Sequence, residues 1–94
     1  MYTRQTTFPL KPNSGDQADE IAQKYGKVIH ALPGHVSTVM FVDGDSFMSI
    51  TTWDNEEQAQ AVSSTRDDAQ NDLTDLLAGA PSTTISVTAV HDVS

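Results

Sequence analysis

Apolar residues recur along the chain with two periods, and the switches between them lay out the elements. Residues 2–8 mix threonine with aromatics and end at Pro9, which predicts a first strand. Lys11, Pro12, Asn13, Ser14 and Gly15 have the chemistry of a loop. Ser14 with Gln17 fits a capping box, and Asp16 and Asp19 suit the positive end of a helix. Ala18, Ile21, Ala22, Tyr25, Val28, Ile29 and Leu32 then follow at spacings of three and four, the mark of a helix with one buried stripe. Pro33-Gly34 stops it near Ala31.

Residues 35–42 and 46–53 read as strands joined by Asp43-Gly44, a two-residue turn that demands positive φ. Counting outward from that turn, Val42 faces Asp45, Met40 faces Phe47, Thr38 faces Ser49 and Val36 faces Thr51. Asp54 or Asn55 caps a second helix, whose stripe runs Ala59, Val62, Arg66, Ala69, Leu73, Leu76 and Leu77. Unbroken over 55–78 it would be about 36 Å long, against about 27 Å for an eight-residue strand. Ser63, Ser64 and Thr65 are weak helix formers, so a bend or break is expected there. Gly79 and Pro81 end the helix, and 83–91 alternates as a fourth strand. The order β-α-β-β-α-β predicts a ferredoxin-like α+β fold with a four-stranded antiparallel sheet, one domain over 1–94.

The hairpin register gives the sheet two apolar faces. One carries Val36, Met40, Val42, Phe47 and Trp53, interleaved with the hydroxyls of Thr38, Ser49 and Thr51. The other carries His35, Val39, Phe41, Met48 and Ile50. Two helices cover only one face of so small a sheet, and a large bare apolar face is rare on a soluble monomer. The second face is therefore expected to be a homodimer interface. The first, with hydroxyls among large apolar groups, has the make-up of a ligand pocket.

Composition narrows the classes of function. The chain has 94 residues, 37 % hydrophobic and 6 % aromatic, a thin core for a free-standing monomer. Thirteen acidic residues against five basic give a net charge of −8, which disfavours nucleic acid and anionic membrane surfaces. With no cysteine, disulfides, thiolate metal sites and a cysteine nucleophile are excluded. No apolar run approaches the roughly 18–20 residues of a membrane span, and no signal-peptide pattern opens the chain. The expectation is a cytoplasmic protein.

Pro33-Gly34 leading into a strand, the hairpin, Trp53 closing the third strand and the acidic helix start Asp54, Asn55, Glu56, Glu57 together resemble the antibiotic-biosynthesis monooxygenase superfamily. The resemblance spans residues 2–91. It implies a homodimeric α+β barrel with a pocket between each sheet and its helices. It implies oxidation of a polyphenol-, anthrone- or quinol-type aromatic by dioxygen without a cofactor, or haem degradation as in other members. Trp53 would line the pocket. Haem-degrading members use a histidine in the helix after the tryptophan and an asparagine on strand one; 55–78 holds no histidine and 2–8 no asparagine. Monooxygenase members tend to place an asparagine just before the tryptophan on its strand face, where Thr51 and Ser49 stand here.

The expected pocket residues are thus Trp53, Thr51, Ser49, Phe47, Met40 and Thr38, with Arg66 from the helix stripe opposite. Arg66 has two readings. It is either a partner for an anionic or phenolate oxygen, or a stem laid on the core with its head paired to Asp67 or Asp68. His30 suits the negative end of the first helix. No metal-ligand spacing occurs among the histidines. Two functions stay open: a small cofactor-independent monooxygenase, or a non-catalytic binding or accessory protein of the same fold.

Overall fold

In a computed structural model of the chain, the structure describes residues 1–87. Strand β1 (Tyr2–Pro9) leads through a short loop to helix α1 (Gly15–His30); β2 (His35–Asp43) and β3 (Ser46–Trp53) form the hairpin; α2 (Glu56–Ala61) and α3 (Ser63–Leu73) follow, then a 3₁₀ turn over Thr74–Leu76 and β4 (Ser82–Val87). The four strands make one antiparallel sheet in the order β2-β3-β1-β4. This is the ferredoxin-like α+β fold, with the helices on one side. The slab measures 37 × 32 × 20 Å. Among the described residues no helix is long and apolar enough to cross a membrane. The end of the expected fourth strand, with His91, lies outside the described residues.

Alternation on β1 turns Arg4, Thr6 and Phe8 inward, where all three are buried. Two apolar clusters fill the space beneath the helices. Phe8, Leu10, Ala18, Ala22, Phe47 and Leu73 form one, and Ile29, Trp53, Ala59 and Val62 the other; Met40 packs against both.

Three local expectations are corrected. The hairpin pairs Asp43 with Ser46 and Val42 with Phe47, so Met40 faces Ser49 and Thr38 faces Thr51. The turn residues are Gly44 and Asp45 rather than Asp43 and Gly44. Only Gly44 has positive φ (58°), as when glycine takes the first central position of a type II′ turn. A slip of two residues preserves the faces. Second, Ser14 precedes α1 but makes no side-chain capping bond. Third, the second helix breaks at Val62, one residue before the serines, and regular α-helix ends at Leu73. The cap of α2 is Asn55, whose side chain accepts from the Gln58 amide at 2.9 Å.

A bulge between His35 and Ser37 has the largest effect on the site. The extra residue, Val36, reverses the alternation ahead of it, so His35 pairs with Trp53 and its ring meets the indole edge-on at 5.5 Å. His35 therefore stands on the helix side of the sheet. Assigning it to the outward face is incorrect, because that count ran straight through the bulge. The outward face of β2 and β3 keeps Val39, Phe41, Met48 and Ile50, with Val39 56 % and Phe41 39 % exposed. On β1 and β4 the same face is hydroxyl- and amide-bearing: Thr3, Gln5, Thr7, Ser82, Thr84 and Ser86.

Candidate functional site

A cleft opens where the two clusters meet, between the sheet and the helices. Its walls include Arg4, Thr6 and Phe8 from β1, Met40 from β2, and Phe47, Ser49 and Thr51 from β3. Ile21, Ala22, Tyr25 and Ile29 from α1, and Thr65, Arg66, Ala69 and Leu73 from α3, close the other side. The small residues Ala22 and Ala69 keep the helices from filling it. The enclosed cavity is about 40 Å³, a few times the ~10–15 Å³ that one water needs. The whole gap between the walls, out to its mouth, is about 490 Å³. In this form the site is a narrow slot, and an aromatic of two or three rings enters only if side chains on its walls swing aside.

Of the residues expected at a pocket, the structure brings Met40, Phe47, Ser49, Thr51 and Arg66 to this cleft. Trp53 is 1 % exposed and packs in the adjoining cluster, on Ile29, Ala59 and Val62. Its indole N–H donates to Thr51 Oγ1 at 2.8 Å, and Thr51 in turn bonds the Arg4 carbonyl. Trp53 is thus an anchor beside the cleft rather than part of its wall. Thr38 is drawn away as well, to a hydrogen bond with the His35 ring at the sheet edge. Burial, and then the nearby His30 ring 5.2 Å away, hold His35 below the usual imidazole range.

Two arginines dominate the electrostatics of the slot. Arg4, 6 % exposed, donates from Nη1 to the Ala59 carbonyl and to Ser63 Oγ, both at 3.1 Å. Neither acceptor is charged. Burial lowers the Arg4 pKa, repulsion from Arg66 lowers it further, and Asp67 opposes both. Arg66 donates from Nη1 to Asp67 Oδ1 at 2.9 Å, on the solvent side. Its Nε is buried with no hydrogen-bond partner.

Tyr25 closes the slot from α1. Its hydroxyl donates to Asp72 Oδ2 on α3 at 2.6 Å, and Lys24 Nζ reaches the same oxygen at 3.0 Å. The hydrogen bond to Asp72 is the main reason the Tyr25 phenol sits above its ordinary pKa, and the main reason the Asp72 carboxyl sits below its own. This clasp ties the two helices over the mouth.

Among the described residues no group of three or more His, Cys, Asp or Glu is placed to hold a metal ion. Among the same residues the cleft wall has no histidine to hold haem, and His30 and His35 gather at the Trp53 edge.

The reading of the sequence missed Arg4, Tyr25 and Thr65 as wall residues. Arg4 was legible: in the alternation Tyr2, Arg4, Thr6, Phe8 it is a charge at an inward position. Thr65 was masked by its place in a run of weak helix formers.

No family model matches the chain, and no curated protein matches it. Solved structures do. A monooxygenase from the gene ActVA-Orf6 of Streptomyces coelicolor, in complex with nanaomycin D, is 19 % identical with a TM-score of 0.78, covering 99 % of this chain and 91 % of that one. A structure described as an antibiotic biosynthesis monooxygenase is 12 % identical with a TM-score of 0.80, over 96 % and 100 %. An anthrone oxidase-like protein is 21 % identical with a TM-score of 0.71, over 89 % of this chain but 42 % of that one. The chain thus has the fold of the antibiotic-biosynthesis monooxygenase-like proteins. The resemblance seen in its sequence holds at the level of fold.

Proposed function

We propose that this chain is a small monooxygenase-like protein that takes a planar, hydrophobic aromatic molecule into the slot between sheet and helices. The observation that carries the reading is the slot itself: apolar walls with a few convergent polar groups, as ligand sites have. Arg66, Ser49 and Thr65 would orient the guest; Met40, Tyr25 and the Arg66 stem are the flexible groups that would make room. For a phenolic guest, one proton path leads outward. The guest's hydroxyl proton passes to Tyr25 as the Tyr25 proton moves to Asp72, leaving a phenolate for dioxygen beside the arginines.

A second reading is binding without turnover. It is favoured by the wall, which among the described residues carries no carboxylate, histidine or lysine to act as a base, and by the raised pKa of Tyr25. Oxygen uptake with anthrone separates the two. Turnover that falls at least tenfold in Tyr25→Phe supports the enzyme; saturable binding of anthrone without uptake supports the binder.

The working form would be a homodimer through Val39, Phe41, Met48 and Ile50. The support for it is the apolar outward face of β2 and β3, where Val39 is 56 % and Phe41 39 % exposed.

A further inference from the structure

We propose that the natural ligand of the slot carries a carboxylate, held between Arg4 and Arg66. The inference rests on the slot being a ligand site and adds the charge of the guest. Acidic residues outnumber basic ones thirteen to five in this chain, so an arginine serving only structure would find a carboxylate readily. Two of the five cations instead line one apolar slot whose walls, among the described residues, hold no acid. Arg4 is buried against a carbonyl and a hydroxyl, which are neutral acceptors. Arg66 spends Nη1 on Asp67 at the surface and leaves Nε buried and unpartnered.

A buried cation whose hydrogen-bond acceptors are all neutral is costly, as at Arg4, and a second guanidinium facing the same slot, paired to Asp67 at its outer end, repels it as well. Burial first, and then the charge of Arg66, lowers the Arg4 pKa, with Asp67 opposing both. A carboxylate between them relieves both costs, and the guanidinium fork matches its two oxygens. A neutral phenol accepts a hydrogen bond but supplies no charge. The apolar remainder of the wall, from Phe8, Ile21, Met40 and Phe47, suits a hydrocarbon or aromatic body behind the carboxylate. The acidic exterior does not oppose this at working ionic strength, since exposed charges are screened beyond about 8 Å and buried ones are not.

Calorimetric titration of the wild-type protein at pH 7 with 2-naphthoate and with 2-naphthol tests the inference. The carboxylate is expected to bind at least tenfold more tightly, with the Arg66 Nε–H resonance shifting on its addition in an ¹⁵N spectrum. In Arg66→Gln the preference is expected to fall to within about threefold. The resonance needs no variant, so the test survives even if Arg66→Gln does not fold. Naphthol binding as tightly as naphthoate, or an Arg66 Nε–H unmoved by bound naphthoate, overturns the carboxylate while leaving the slot a ligand site. Failure of both compounds to bind at millimolar concentration overturns the ligand-site reading along with it.

Discussion

Gly34 offers the sharpest test of how the Trp53 edge is held. Its φ is +78°, where a side chain is strained. A Cβ built there would lie 1.8 Å from Gln58 Oε1 and 2.1 Å from Gln58 Cδ. The Gly34 carbonyl also accepts from the Asp54 amide at 2.9 Å, so the loop cannot swing away without breaking a tie to the end of β3. Gly34→Ala therefore carries two costs. The left-handed backbone contributes roughly 1–2 kcal/mol, and pushing Gln58 out of its rotamer about 1 kcal/mol more. A loss of about 2–3 kcal/mol lowers the melting temperature by roughly 10–20 °C at ~4–8 °C per kcal/mol for a domain this size. Gln58 alone should matter little, because its buried Oε1 has no hydrogen-bond partner. In Gln58→Ala the steric part disappears and only the backbone part remains. A double-mutant cycle by thermal and urea unfolding is then expected to show about 1 kcal/mol of coupling. An unchanged melting temperature in Gly34→Ala, or an equal loss in both backgrounds, would refute the reasoning.

Phe41→Asp should halve the mass seen by light scattering at micromolar concentration, by placing a charge at the centre of the proposed interface; a mass unaltered from wild type counts against that face. Trp53→Ala should cost about 3–5 kcal/mol, as for other buried large-to-small changes, measured by urea unfolding; a loss under 1 kcal/mol would mean the indole does not anchor the edge. The folded His35 pKa lies below the ~6.5 of a free imidazole. Just under pH 6.5 the unfolded chain thus binds more protons than the fold. His35 stabilisation is accordingly complete above pH 6.5 and lost as pH falls through the folded value. The wild-type melting temperature should drop more than that of His35→Gln between pH 7 and pH 5; parallel profiles would sink this.

The elements were legible because each has a local cause: stripes at helical spacing, a glycine turn, Pro33-Gly34 and the run at 63–65. What was not legible follows from events of one residue. The hairpin's two turn residues cannot be chosen from Asp43, Gly44 and Asp45 by type alone, and the choice moves the register by two. The bulge at Val36 has no mark in the sequence, yet it moves His35 across the sheet, where its ring engages the Thr38 hydroxyl. The pairing of Trp53 with Thr51 depends on side chains two apart meeting on one face, which alternation allows but does not require. Arg66 beside Asp67 follows the structural alternative weighed for it, while its unpartnered Nε appears only once the helix is packed.

The break in the second helix and the buried charge on β1 explain each other. Ending α2 at Ala61 leaves its last carbonyls without intrahelical donors, Ala59 among them. Arg4 supplies one of those donors from across the sheet and holds Ser63, the first residue of α3, with the same Nη1. A straight helix over this stretch would have satisfied Ala59 internally and left Arg4 only its second lone pair. The backbone of Arg4 is held in the ladder between Thr51 and Ile85, and the Thr51 hydroxyl, which accepts from the Trp53 indole, lies 3.5 Å from the Arg4 carbonyl. The tryptophan that bears the family resemblance thus acts on the slot at one remove. It holds the Thr51 hydroxyl beside the strand residue whose guanidinium both caps a broken helix and lines the cleft.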